Sequence, residues 1–225
     1  MWPRLLALLL LAMLALAAPS IGVTQSQPPT VYSADSIWDW SSHADDLPAL
    51  CGAGNWFDLR PESSVADQGC IESAMRQLGA SESAIQFFDS TMQFLMSFDK
   101  RGPIDFGLAA SPWVNMGRGE AVLLNGQPSA IPMSRTLSPT DDSWKSDPGY
   151  ANLLQRFPNA FPWAEYGGPT SERQTDTGST SIELRFDMRE CRACPNLATF
   201  REELVFSPAG FITTTNVLPP APART

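Results

Sequence analysis

The sequence predicts an α+β fold in which a helical hairpin packs on a mostly antiparallel sheet, forming a single disulfide-stapled domain. Three observations carry this expectation. Apolar residues recur at helical spacing between Asp67 and Phe98, they alternate at strand spacing between Ile182 and Phe206, and an Asn125-Gly126 pair separates two short apolar runs. A change of period from 3.6 to 2 along one chain marks helices followed by strands.

Residues 18–36 are rich in Pro, Ser, Thr and Gln without periodicity and read as a flexible lead-in. "SIWDWSSHADDLPALCGAGNWFDL" then sets three tryptophans among Ser, Gly and Asp, which suggests irregular structure pinned by buried rings. After Cys70, Ile71, Ala74, Met75 and Leu78 share one helical face, and Gly79 can take the left-handed conformation that closes a helix. Ser81 can cap a second helix with Glu82 in its first turn, and Ile85, Phe88, Met92 and Leu95 form its stripe. Phe87, Phe94 and Phe98 widen the apolar face, so the hairpin is expected to pack on a sheet.

Beyond "KRGP" the period becomes that of strands. Asn125-Gly126 accepts the positive backbone angles of a tight hairpin, and Pro128 places the following strand at an edge. "SDPGYANLLQRF" has Asp147 as cap and Pro148 at the first helical position. The Pro-, Gly- and Thr-rich stretch that follows reads as a long loop. Ile182, Leu184, Phe186 and Met188 alternate, as do Ala198, Phe200, Leu204 and Phe206, and Ser207-Pro208-Ala209-Gly210 reads as a turn before Phe211–Val217. The domain is expected to span 37–218, with a disordered tail at 219–225.

Residues 1–17 read as an export signal. Arg4 is a short basic head, Leu5–Leu16 an apolar run, and Ala15-Leu16-Ala17 a small-residue cleavage pattern. The run is shorter than the about 20 residues that cross a bilayer, so no stable membrane anchor is expected after cleavage. The protein is therefore expected in the periplasm or outside the cell. The chain carries 15 Lys and Arg against 24 Asp and Glu, a net charge of −9, which repels phosphate backbones and argues against nucleic acid as a partner. Hydrophobic residues make up 43% of the chain, enough to bury a core.

Export makes disulfides the expected state of Cys51, Cys70, Cys191 and Cys194. Four cysteines allow three pairings; Cys51–Cys70 with Cys191–Cys194 is favoured as two local closures, and the crossed alternatives stay open. Cys191-x-x-Cys194 has the spacing of a catalytic dithiol, which gains its reactivity where a strand ends at a helix N-terminus. "PNLATFREEL" can be read as that helix, but the chain ends 31 residues after Cys194, too soon to complete a thioredoxin fold. A structural disulfide at a hairpin end is the preferred reading. A four-cysteine zinc site would show two C-x-x-C halves and only one is present, so neither metal nor cofactor is expected.

"TDTGST" contains the Asp-Thr-Gly-Ser of aspartic proteases, but polar "PTSERQ" precedes Asp176 and no second copy occurs. His43 is the only histidine and no G-x-S-x-G appears, which disfavours a Ser-His-Asp hydrolase. Asp105, Glu120, Asp141, Asp142, Glu165 and Asp187 could supply a carboxylate pair, with nothing to choose among them. Six tryptophans, Trp38, Trp40, Trp56, Trp113, Trp144 and Trp163, fall in stretches read as loops. There they either cover core edges or offer faces to a sugar or protein. Of these, Trp38, Trp40, Trp144 and Trp163 are the candidate ligand-binding residues.

"QLGASESAIQFF", "RGPIDFGLAASPW", "VLLNGQPSAI" and "CRACPNLATFREELVFSPAGF" follow one another in an order that resembles a group of uncharacterised exported bacterial proteins. The resemblance covers about two thirds of the chain after the signal and implies a strand leading into the "FSPAGF" turn. It implies no catalytic residue. The function expected is a non-catalytic binding or structural protein of the envelope or extracellular space, with an unknown protein or small ligand as partner. The alternative is an exported enzyme, either a thiol-disulfide oxidoreductase using Cys191 and Cys194 or a carboxylate-based hydrolase.

Overall fold

The computed structural model describes residues 30–59, 65–113, 119–136 and 142–223. The export segment 1–17, the lead-in up to residue 29, and residues 224 and 225 of the tail lie outside the described residues.

The chain is α+β, but its strands form two four-stranded antiparallel sheets rather than one. The first contains β1 (Phe94–Asp99), β2 (Asp105–Ala110), β3 (Glu120–Leu124) and β4 (Ala130–Pro132) in chain order. The second contains β5 (Phe161–Gln174), β6 (Thr180–Arg189), β7 (Ala198–Phe206) and β8 (Ile212–Ala221), again in chain order. The helices are α1 (Asp46–Leu50), α2 (Val65–Gln77), α3 (Glu82–Thr91), α4 (Met133–Thr136) and α5 (Pro148–Arg156).

The first sheet is the middle layer. Leu123 and Phe106 join Ile182, Leu184, Phe186, Phe200 and Leu204 in a core between the sheets. On its other side Leu95, Val122 and Leu124 pack with Tyr32 of the N-terminal segment and Phe87 of α3. All five residues of β3 are buried in consequence. A strand covered on both faces reads as a continuous apolar run, so alternation along "EAVLL" could not announce a second sheet.

Several boundaries differ from expectation, each for a local reason. The second helix stops at Thr91, not at Leu95 or Phe98. The Thr91 hydroxyl donates to the Phe87 carbonyl and accepts from Gln93 N–H, and Met92 takes a left-handed φ of 58°. Side-chain hydrogen bonds of this kind compete with the helix ladder, so the apolar run that follows becomes β1. The stretch read as a long loop is mostly β5. Its prolines and glycines are tolerated because β5 is an edge strand with irregular register between Trp163 and Gly168 and between Pro169 and Ser171.

The ends of the domain also move. Tyr32 is 2% exposed, and its backbone N–H and carbonyl bond the Asn125 side chain at 2.7 and 3.0 Å. Residues 32–36 are thus part of the fold, not of a flexible lead-in. At the other end β8 continues through Ala221, and Thr199 Oγ1 donates to the Pro222 carbonyl, so the tail proposed from 219 is ordered at least this far. Among the described residues no helix is long and apolar enough to cross a membrane.

Other local signals correspond to what is observed. Ser81 Oγ accepts from Ala84 N–H to cap α3, and Asp147 caps α5 with Pro148 in the first turn. Asn125, at φ 62°, lies in the connection between β3 and β4. Tyr150 of α5 is fully buried. Its hydroxyl accepts from Arg201 N–H at 3.0 Å and donates to the Leu218 carbonyl at 2.9 Å, filling the irregularity between β7 and β8. Burial pushes that phenol up to about 12.

Candidate functional site

Both local disulfides are present, Cys51–Cys70 and Cys191–Cys194, as expected of a protein folded in an oxidising compartment. The first ties the end of α1 to α2. The second lies in the connection between β6 and β7, where Cys194 N–H donates to the Cys191 carbonyl at 3.0 Å. Residues after Cys194 enter β7, so the helix whose positive end would activate a thiolate is missing at this position.

Polar side chains hold this turn by its backbone. Arg189 donates to the Cys194 carbonyl and to Asp187, and its guanidinium lies 4.0 Å from the centre of the Tyr166 ring. Asn196 donates to the other Asp187 oxygen, Trp163 Nε1 to the Arg189 carbonyl, and Tyr166 to the Arg192 carbonyl. Glu165 pairs with Arg192 at 2.9 Å. Two of the six carboxylates that could have supplied a pair, Asp187 and Glu165, therefore serve the turn.

The tryptophans are packed. Trp38 lies parallel to His43, with centroids 5.3 Å apart, and Trp40 stacks on Phe94 at 5.6 Å. Trp56 and Trp113 complete this cluster edge-on. Trp144 packs edge-to-face with Tyr150 and Phe200 in the inter-sheet core. Trp38 and Trp144 are 8% and 6% exposed, so their rings are enclosed in packing rather than displayed at the surface. Trp40 and Trp163 are half-buried, the first in the cluster and the second bonded to the turn.

The other candidate catalytic groups among the described residues are held by local contacts. His43 has Asp46 3.7 Å away and the Trp38 ring against it. Asp176 is an exposed residue of the β5–β6 turn, where Gly178 takes a φ of 78°. Asp105 accepts from the backbone of Arg101 and Gly102 and from Asn125. Asp141 and the Asp142 side chain lie outside the described residues. Among the described residues no cluster of His, Cys, Asp and Glu could hold a metal ion. On the outer face of the second sheet, Arg201 and Arg185 both donate to Glu183 at 2.8 Å and hold its carboxyl down to about 2.

Glu120 is a buried carboxylate whose pKa moves in the opposite direction. It is 3% exposed and accepts from Ser134 at 2.9 Å, and burial raises its pKa in spite of Ser134, Gln93 and Arg135. A raised folded-state value means the native protein binds the proton more tightly than the unfolded chain does. Its stabilising contribution is complete below the ordinary glutamate range, near about 4.3, and is lost as pH climbs through the raised value. Melting temperatures of the protein and of Glu120→Gln, compared between pH 4 and pH 8, should diverge on the alkaline side, with the protein losing more than the variant. Parallel curves would refute this.

A groove of about 660 Å³ runs between the N-terminal segment, α2 and α3, with Ser129 at its margin. Ser81, while capping α3, donates to the Asp35 carbonyl and fastens the N-terminal segment against that helix. Glu72, Arg76, Glu82 and Asp89 give the lining its charge. Arg76 bonds Glu82 at 2.9 Å and holds that carboxyl below its usual range, which leaves Glu72 and Asp89 to set an acidic surface. Sequence reasoning missed this site because its residues are the outward positions of two amphipathic helices, which read as solvated faces. The available signal was the polar face that each helix keeps.

No family model, curated protein or solved structure matches this chain.

Proposed function

We propose that this chain is an exported, non-catalytic binding protein of the envelope or extracellular space. The observation that supports it most is the assignment of its chemically capable groups to structure. The cysteines are paired, the histidine is stacked on tryptophan, and three of the four buried carboxylates among the described residues, Asp105, Glu120 and Asp187, are tied into hydrogen bonds. We read α2 and α3 as a helical hairpin that forms one wall of the groove, and the groove as the binding surface for a polar, cationic ligand or peptide segment. The resemblance to exported bacterial proteins is consistent with this placement.

The test is a titration with trilysine peptide followed by amide NMR. Shifts should concentrate at Glu72, Arg76, Gln86 and Asp89, and the double variant Glu72→Gln, Asp89→Asn should weaken binding roughly ten-fold. Absence of shifts at the groove would remove this reading. An oxidoreductase would instead need an easily reduced Cys191–Cys194 pair, and the exposure of Cys191 is the observation that favours it. A reduction potential below about −300 mV excludes it.

A further inference from the structure

The two sheets have four edges, and three of them are closed to pairing. β4 is three residues long and ends in Pro132. β1 has irregular register between Leu95 and Ser97 and ends at Asp99, which pairs with Arg101. β5 contains Pro162 and Pro169, two irregularities and charged residues, and β3 and α4 pack against it. Short strands, bulges, prolines, charges and covering elements are how proteins prevent strands from adding to an edge.

β8 shares one of these, an irregularity opposite Val205 and Phe206 where Thr213 falls out of the ladder, but its first six residues hold no proline and no charge. Ile212–Val217 is exposed at every position, and five of the six are β-branched. Ile212 and Val217 are 36% and 37% exposed, large apolar side chains left on this strand. No charged residue occurs from Ser207 to Ala223 in a chain of net charge −9. The prolines at 219 and 220 come only where α5 already covers the strand, with Pro220 beside Gly149. A segment of high β propensity without charge or proline is the kind that pairs with its own copy.

We infer that β8 is an interaction edge that pairs antiparallel with β8 of a second copy, joining two four-stranded sheets into one of eight. Charge chooses the occupant. A cationic or anionic strand meets no counter-charge on β8, whereas a second β8 brings none to repel, although the chains as wholes are acidic. A two-fold centred on Thr215 sets Thr215 opposite itself and Thr214 opposite Asn216, hydroxyl and amide pairs of the type that stabilise antiparallel ladders. Such an interface is self-complementary, as a two-fold dimer requires. Pairing over the regular stretch Thr214–Val217 buries less than the roughly 1,000 Å² of a standard interface, so the dimer is weak and concentration-dependent. The edge belongs to the sheet farthest from the groove and does not depend on that reading.

Sedimentation velocity of the disulfide-bonded protein at about 10 μM to 1 mM should show a monomer–dimer equilibrium. Thr215→Lys and Thr215→Glu place like charges opposite one another, and each should weaken association roughly ten-fold with an unchanged circular dichroism spectrum. An equimolar mixture of the two should dimerise again. Ser171→Lys, on β5, should dimerise as the parent does and controls for added charge. A protein monomeric throughout, a dimer indifferent to Thr215→Lys, or a mixture that stays monomeric would each overturn the inference.

Discussion

Replacing Cys51 and Cys70 together by serine is expected to cost about 3 kcal/mol, and replacing Cys191 and Cys194 about 2 kcal/mol, by the loop-entropy relation. The first bridge spans 19 residues and the second 3. Cross-linking removes more freedom from the unfolded chain when the closed loop is longer, which sets the order. Location adds to the difference. The 51–70 bridge encloses Trp56 and Leu59, which are 8% and 3% exposed, and joins α1 to α2 beside the Trp38, Trp40, Trp56 and Phe94 cluster. Residues 51–59 of that segment form turns and one short 3-10 helix, with no strand as scaffold. Urea unfolding should show the larger fall in midpoint for the 51/70 variant, together with loss of near-ultraviolet dichroism from the tryptophans. Equal midpoints for the two variants would contradict the argument.

Gly167→Ala is expected to destabilise by about 3 kcal/mol, at the upper end of ordinary overpacking. An added Cβ would stand 2.2 Å from Phe186 Cδ1 and 3.1 Å from the Arg185 carbonyl. Neither neighbour can yield easily, because Phe186 is fully buried in the inter-sheet core and the carbonyl belongs to β6. The adjacent Gly168 makes the useful comparison. A Cβ there would meet Ala121 Cβ at 3.8 Å, an ordinary contact, so Gly168→Ala should cost much less. Thermal melts of the two variants decide the matter, and similar losses would show that β5 adjusts as a unit.

Some of the architecture was legible because its determinants are local. Caps at Ser81 and Asp147, the left-handed Gly79 and Asn125, and the alternation through Ile182–Met188 each act within a few residues. What was not legible depends on distant partners. Phe94 and Leu95 continue the helical stripe in sequence, yet Thr91 ends the helix and Ala109 and Ala110 accept them as a strand. The Pro-Gly run of β5 carries turn chemistry, and only β6 beside it makes it a strand. The tryptophans resisted for a related reason: whether an aromatic ring in an irregular stretch is displayed or enclosed depends on what folds over it. The groove was hidden because exposure on a lone helix and exposure on a groove wall leave the same polar pattern.

Each sheet is a meander in which every strand bonds only to its neighbour in the chain, within 94–132 for the first and 161–221 for the second. Ladder contacts are therefore short-range along the polypeptide, and closing them costs little loop entropy. The costly event in assembly is the docking of the two meanders, where β5 comes against β3 and Phe186 and Phe200 meet Phe106 and Leu123. Each sheet can take shape while its own segment is complete and the other is not, an order suited to a chain that emerges from one end.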